Sequence, residues 1–202
     1  MSSFAKWLKK NLFYVILFLI VVIALEGYNI WFHQDMDLIP EGAENVRIST
    51  TGYSFDGGPV MDVHIIYEKY AEGSTATETH AIMLTDEGCR MLIEALQGQK
   101  VRATSNPSGG HIRVKGSFRF SVNFDLDGIN YNKFLYCWNK IQVITNWVAN
   151  EEGAKPKFDP SSKFTTIISG QEETDALYYT VIDIIQNSAA SDIIVSPSTP
   201  EQ

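Results

Sequence analysis

Apolar positions follow two different patterns along this chain. Residues 12–25 are an uninterrupted apolar run, and past Glu26 and Asn29 the apolar character resumes at Ile30, Trp31 and Phe32. As a helix rising ~1.5 Å per residue, residues 11–32 match a hydrocarbon core of about 30 Å. Beyond them the apolar positions are short and punctuated. Residues 46–51 form a first strand candidate, and Met61, Val63, Ile65 and Tyr67 alternate with Asp62 and His64. Residues 80–84 return as a second strand, so a hairpin with its loop near Glu72 is expected. Phe118, Phe120, Val122, Phe124 and Leu126 alternate with polar residues up to Asp127-Gly128. That dipeptide supplies the positive φ of a type I′ turn and sets Leu126 opposite Ile129 and Phe124 opposite Tyr131.

Helical spacing predicts three helices after the apolar run. The first covers about 86–97, capped by Thr85, with Asp86 and Glu87 in its first turn and Gly98 as terminator. The second covers about 133–150, from Phe134, Trp138, Ile141, Ile144 and Val148. The third follows Ser169-Gly170-Gln171-Glu172, a capping box, and runs to about Asn187. Residues 164–168 and 192–195 flank it as strands, which implies a right-handed parallel crossover. The expected fold class is α+β, with one N-terminal transmembrane helix followed by one mixed-sheet extracytoplasmic domain with about three helices. Its divisions are a cytoplasmic tail (1–10), a span (11–32), a stalk (33–45), the domain (46–195) and a disordered tail (196–202).

Charge orients the span. Lys6, Lys9 and Lys10 precede it, and Asp35, Asp37, Glu41 and Glu44 follow it, so the N-terminus is expected in the cytoplasm and the rest across a cytoplasmic (inner) membrane. A cleaved signal peptide is the competing reading, with Val22-Ile23-Ala24 at the cleavage position. After residue 32 there are 13 basic and 23 acidic side chains, a net −10. Such a surface repels phosphate backbones, which argues against nucleic acid, and the expected partners are envelope proteins, with peptidoglycan-like polymers or cations as alternatives. A homo-oligomer is compatible with this reading. No Asn-x-Ser/Thr acceptor is present, which favours a bacterial envelope.

Candidate chemistry is sparse, and no catalytic residue, no cofactor and no complete metal site is expected. His64 and His80 would face each other across the first hairpin, near Asp62, a weak metal candidate lacking a third ligand. His33-Gln34-Asp35-Met36-Asp37 reads as solvated linker, and Ser108-Gly109-Gly110-His111 as a turn. Cys89 and Cys137 fall in stretches read as helical, where a disulfide and two buried thiols are both open. Trp138 and Trp147 read as buried packing.

Residues 165–200 carry features that together resemble the biopolymer-transport ExbD/TolR family. They are Ile167-Ile168, a polar turn, Tyr178 or Tyr179 before Val181-Ile182-Asp183, then Asp192-Ile193-Ile194-Val195 with a nearby proline. Residues 36–43, with Leu38 and Pro40, are similar to that family's entry into its periplasmic domain. The resemblance implies an accessory subunit of a proton-driven envelope transport system, with an acid in its span. Here residues 12–25 hold no ionisable group, and Glu26 is the nearest acid. The residues themselves favour reading Glu26 as a hydrated carboxylate at the outer interface, with a proton-relay role as the alternative that the resemblance implies.

Overall fold

A computed structural model describes residues 3–32, 34–54, 60–70, 77–103, 116–137, 141–155, 166–168 and 171–197. The chain divides into two compact units, Met1–Gln34 and Asp35–Gln202. The first is helix α1, Ser3–Phe32. Within it Lys9–Gly27 has mean hydropathy 2.0 and buries none of its side chains, so the helix is long and apolar enough to cross a membrane.

The second unit is mixed α+β. Its strands are β1 (Met36–Asp37), β2 (Glu44–Ser49), β3 (Thr51–Tyr53), β4 (Met61–Val63), β5 (Ile65–Tyr70) and β6 (Thr77–Leu84). They continue as β7 (Lys100–Ala103), β8 (Phe118–Leu126), β9 (Ile129–Cys137), β10 (Ile141–Ala149), β11 (Thr166–Ile168) and β12 (Ala189–Pro197). Helices α2 (Asp86–Leu96) and α3 (Gln171–Asn187) complete it. Ten strands form one sheet in the order β1-β7-β11-β10-β9-β8-β5-β6-β12, with β2 also on β8, and β3 pairs with β4 separately. Every described pairing is antiparallel.

Alternation decides the two faces. In β9, Ile129, Tyr131, Lys133, Leu135 and Cys137 are buried, and the residues between them are half-buried. That inner face joins Phe118, Phe120 and Val122 of β8 with Leu92 and Leu96 of α2 and Leu177, Val181 and Ile184 of α3 in one core. On the other face Val63, Ile66 and Ala81 pack with Tyr53 and Met61 of the β3–β4 ribbon. The Asp127-Gly128 turn has φ of 52° and 74°, and the register sets Leu126 opposite Ile129 and Phe124 opposite Tyr131. The two rings stack with centroids 5.3 Å apart.

Three expectations are corrected. Within the stretch 133–150 the described residues 133–137 and 141–149 are strand, not helix: β9 and β10 pair from Ile141–Cys137 to Ala149–Ile129. The domain therefore has two described helices where about three were expected. Secondly, the strands flanking α3 do not form a parallel crossover. β11 joins β10 and β7, whereas β12 joins β6, and the sheet expected to be mixed is antiparallel in every described pair. Thirdly, the expected stalk enters the sheet, because Met36 and Asp37 pair with Val101 and Lys100, and Leu38 and Ile39 are buried in the core.

Candidate functional site

The first hairpin brings His64 and His80 to different places. Its register pairs Ile65 with Ile82 and Tyr67 with His80, because β5 and β6 extend to Tyr70 and Thr77 before the loop. The weak metal candidates His64 and His80 are therefore not placed opposite each other. Asp62 lies on β4 opposite Gly52 and is exposed. Among the described residues no group of three His, Cys, Asp or Glu side chains is placed to hold a metal ion. His33 and residues 108–111 lie outside the described residues, as does Trp138.

His64 sits between β4 and β5, where its backbone N–H donates to the Ile82 carbonyl (2.9 Å). Its Nδ1 accepts the Leu84 backbone N–H at 3.1 Å and lies 3.6 Å from Cys89 Sγ on α2. Burial lowers the His64 pKa, against the pull of the Asp86 carboxylate. Burial raises the Cys89 thiol, with Asp86 adding to it. A nucleophilic Cys–His pair needs a thiolate and an imidazolium, and both shifts here favour the neutral pair. The arrangement joins the start of α2 to the β4–β5 junction and the end of β6. Cys137 closes β9, deep in the core, and burial pushes its thiol up to about 12. The structure does not join Cys89 and Cys137 in a disulfide, the pairing left open by the sequence.

His80 is buried on β6 between two carboxylates. Its Nδ1 lies 2.7 Å from Asp192 Oδ1 on β12, and its Nε2 lies 3.5 Å from Glu78 Oε2. On the same strand Thr79 Oγ1 donates to the buried Glu68 of β5 at 2.8 Å. His80 thus links β6 to β12 by a charge-assisted contact as well as by the ladder.

Sequence reasoning missed a third cluster. Asp125, at the end of β8, accepts side-chain amides from Asn45 (2.8 Å), Asn130 (2.8 Å) and Asn150 (3.1 Å). These bonds, Asn130 first, hold its carboxyl below the usual range, and Arg47 adds to them. The signal was in the hairpin register, which puts Asn130 directly opposite Asp125. Asn45 and Asn150 arrive from distant segments and could not be read that way. With three amide donors on one carboxylate, the cluster ties the ends of β8 and β9 to the β2 entry and the end of β10.

An open depression of about 500 Å³ lies between the β1–β2 segment and the end of α2, lined by Ile39, Pro40, Glu41, Gln97 and Gly98. Of its charged side chains, Asp37 and Lys100 are tied to each other as an ion pair (2.5 Å), and Glu41 adds a carboxylate. Glu26 is an exposed residue of α1. Trp147, expected to be buried, is 42% exposed beside exposed Ile144 and Val148 on β10.

The architecture defines an α+β domain on one large antiparallel sheet, preceded by an apolar helix. No family model, no curated protein and no solved structure matches this chain.

Proposed function

We propose that the chain is a single-span protein of a bacterial cytoplasmic membrane, with its N-terminus in the cytoplasm and its α+β domain on the far side. There the domain binds other envelope proteins as a scaffold or adaptor, without catalysis. The observation that carries this reading is the division into an exposed apolar helix behind lysines and a separately packed sheet unit of acidic character. The neutral His64–Cys89 pair and the saturated Asp125 carboxylate support a structural use of the polar groups.

Mild detergent extraction followed by affinity purification tests it. Defined envelope proteins should co-purify in constant ratio, and protease added to spheroplasts should remove the domain. A chain that purifies alone under several conditions, or a domain protected from that protease, overturns the reading. The second reading, an accessory subunit of a proton-motive system, draws on Glu26, the acid nearest the apolar run. A fully functional Glu26→Gln variant would end it.

A further inference from the structure

The strand path of the sheet, from which β2 branches at β8, ends in β1 and β12, and these two ends are finished differently. β1 is two residues long, and its Asp37 is tied to Lys100. β12 is nine residues long and pairs with β6 on one side, and among the described residues no strand pairs with its other side. Irregularities between Ala189 and Ser191 and between Ile194 and Ser196, with Pro197 at the end, blunt both ends of β12. Between them the stretch Ser191, Asp192, Ile193 and Ile194 keeps regular register with β6. Ile193 and Ile194 are 44% and 55% exposed, and as consecutive strand residues they point to opposite faces. Among the described residues a short run of backbone donors and acceptors on that side is thus taken up by no strand, and it is flanked by an apolar side chain on each face.

Resting on the scaffold reading above, we propose that this edge of β12 is the docking site, filled by strand addition. The occupant is an extended segment of a partner protein that alternates apolar with Lys or Arg side chains. Charge selects this occupant over a second copy. The only charged side chain on β12 is Asp192, half exposed, and the chain beyond residue 32 is net −10. Two copies paired about a two-fold axis at Ile193 would bring like-charged bodies together, with both Asp192 carboxylates on one face and diagonal to each other. A basic strand meets the same edge with complementary charge, and its backbone supplies the ladder bonds that give affinity. His80 holds Asp192 from the β6 side at 2.7 Å, which fixes the carboxylate on one face of the edge and so the register of a basic residue opposite it.

The test uses the full chain in nanodiscs of zwitterionic phosphatidylcholine and follows amide hydrogen exchange. Three synthetic heptapeptides serve as probes: alternating Lys/Val, alternating Glu/Val, and the Lys/Val sequence N-methylated at every second amide. The Lys/Val peptide should slow exchange within 191–194, at a concentration at least about tenfold lower than either control needs. Equal protection by the Glu/Val or the N-methylated peptide overturns the proposal, as does no protection by any peptide. Protection that rises with protein concentration alone would assign the edge to a second copy and also overturn it. If defined envelope proteins co-purify while the peptides leave β12 unchanged, this docking edge is wrong and the scaffold reading stands.

Discussion

Phe13 and Phe18 in α1, and Phe118 and Phe124 in β8, are the same side chain in opposite surroundings. The first two are 72% and 66% exposed, the second two 2% and 1%. Apolar content alone does not mark a core. In β8 the apolar residues occupy alternate positions and have two helices to pack against, whereas in α1 the apolar run is unbroken and none of the Lys9–Gly27 window is buried. The difference predicts different costs. Phe124→Ala opens a hole against Tyr131 and Ile129 and should destabilise the domain by about 3–5 kcal/mol, on the order of 10 °C in Tm. Phe18→Ala should leave the domain's Tm within 1 °C of wild type, about the scatter of a surface change. A comparable loss from both variants would break the contrast.

Glycines sharpen the same comparison at a smaller scale. Gly116 has φ +76°, donates its N–H to the Glu68 carbonyl, and would place a Cβ only 2.2 Å from Tyr178 Oη. Gly116→Ala should cost about 1–3 kcal/mol, because both the backbone region and the tyrosine resist it. At Gly27 of α1 an added Cβ would meet nothing within 4 Å among the described residues beyond its own stretch of helix backbone. Gly27→Ala should leave the domain's thermal transition unmoved and raise helicity in detergent, since alanine is favoured over glycine in a helix by about 1 kcal/mol. Differential scanning calorimetry and circular dichroism read the two effects separately.

Those contrasts follow the parts of the fold that were legible in the sequence. The apolar helix, the β8–β9 hairpin with its Asp-Gly turn, the Thr85-capped α2 and the apolar stripe of α3 all declare themselves through local pattern. β9 and β10 did not, because two neighbouring residues invert the code. Lys133 is 2% exposed on the inner face, with Phe124's ring 5.7 Å from its ammonium, while Phe134 is only half-buried on the outer face. Reading Phe134 as core and Lys133 as surface turns a period of two into a spurious helical one, although the β-branched residues of 141–145 pointed to strand. The candidate site was less legible still. His64–Cys89, His80–Asp192 and Asn45–Asp125 span 25, 112 and 80 residues, separations that only the sheet order closes.

Helix starts give the next contrast. Thr85 Oγ1 accepts the Gly88 N–H at 3.1 Å, and Asp86 and Glu87 occupy the positive end of α2. Gly88 lets this end approach Ser188, where a Cβ would sit 2.8 Å from the serine Cβ. α1 has no acidic residue in its first turn and no basic residue in its last. Thr85→Ala should therefore destabilise the domain by about 1 kcal/mol, or 2–4 °C, measured by thermal denaturation. Thr85→Ser should restore most of it, since the hydroxyl acceptor is what the cap requires.

The smallest effect is a pH dependence confined to the domain. Burial lowers the His64 pKa, so the folded chain resists a proton that the unfolded chain takes up readily near pH 6.5. The unfolded state then binds more protons, and stability contributed by the neutral ring is present above that pH. It is lost as pH falls towards the folded pKa, and below it the loss levels off. Asp125, held low by its asparagines, acts in a separate window: its contribution stands above the ordinary carboxylate range and is lost only at more acidic pH. Between pH 7.5 and 5.5 the wild-type Tm should fall more than that of His64→Gln, which retains an acceptor for the Leu84 N–H. Equal slopes for the two proteins would mean that the imidazole is wetter than its place between β4 and α2 implies, and the neutral His64–Cys89 pair would have to be abandoned with it.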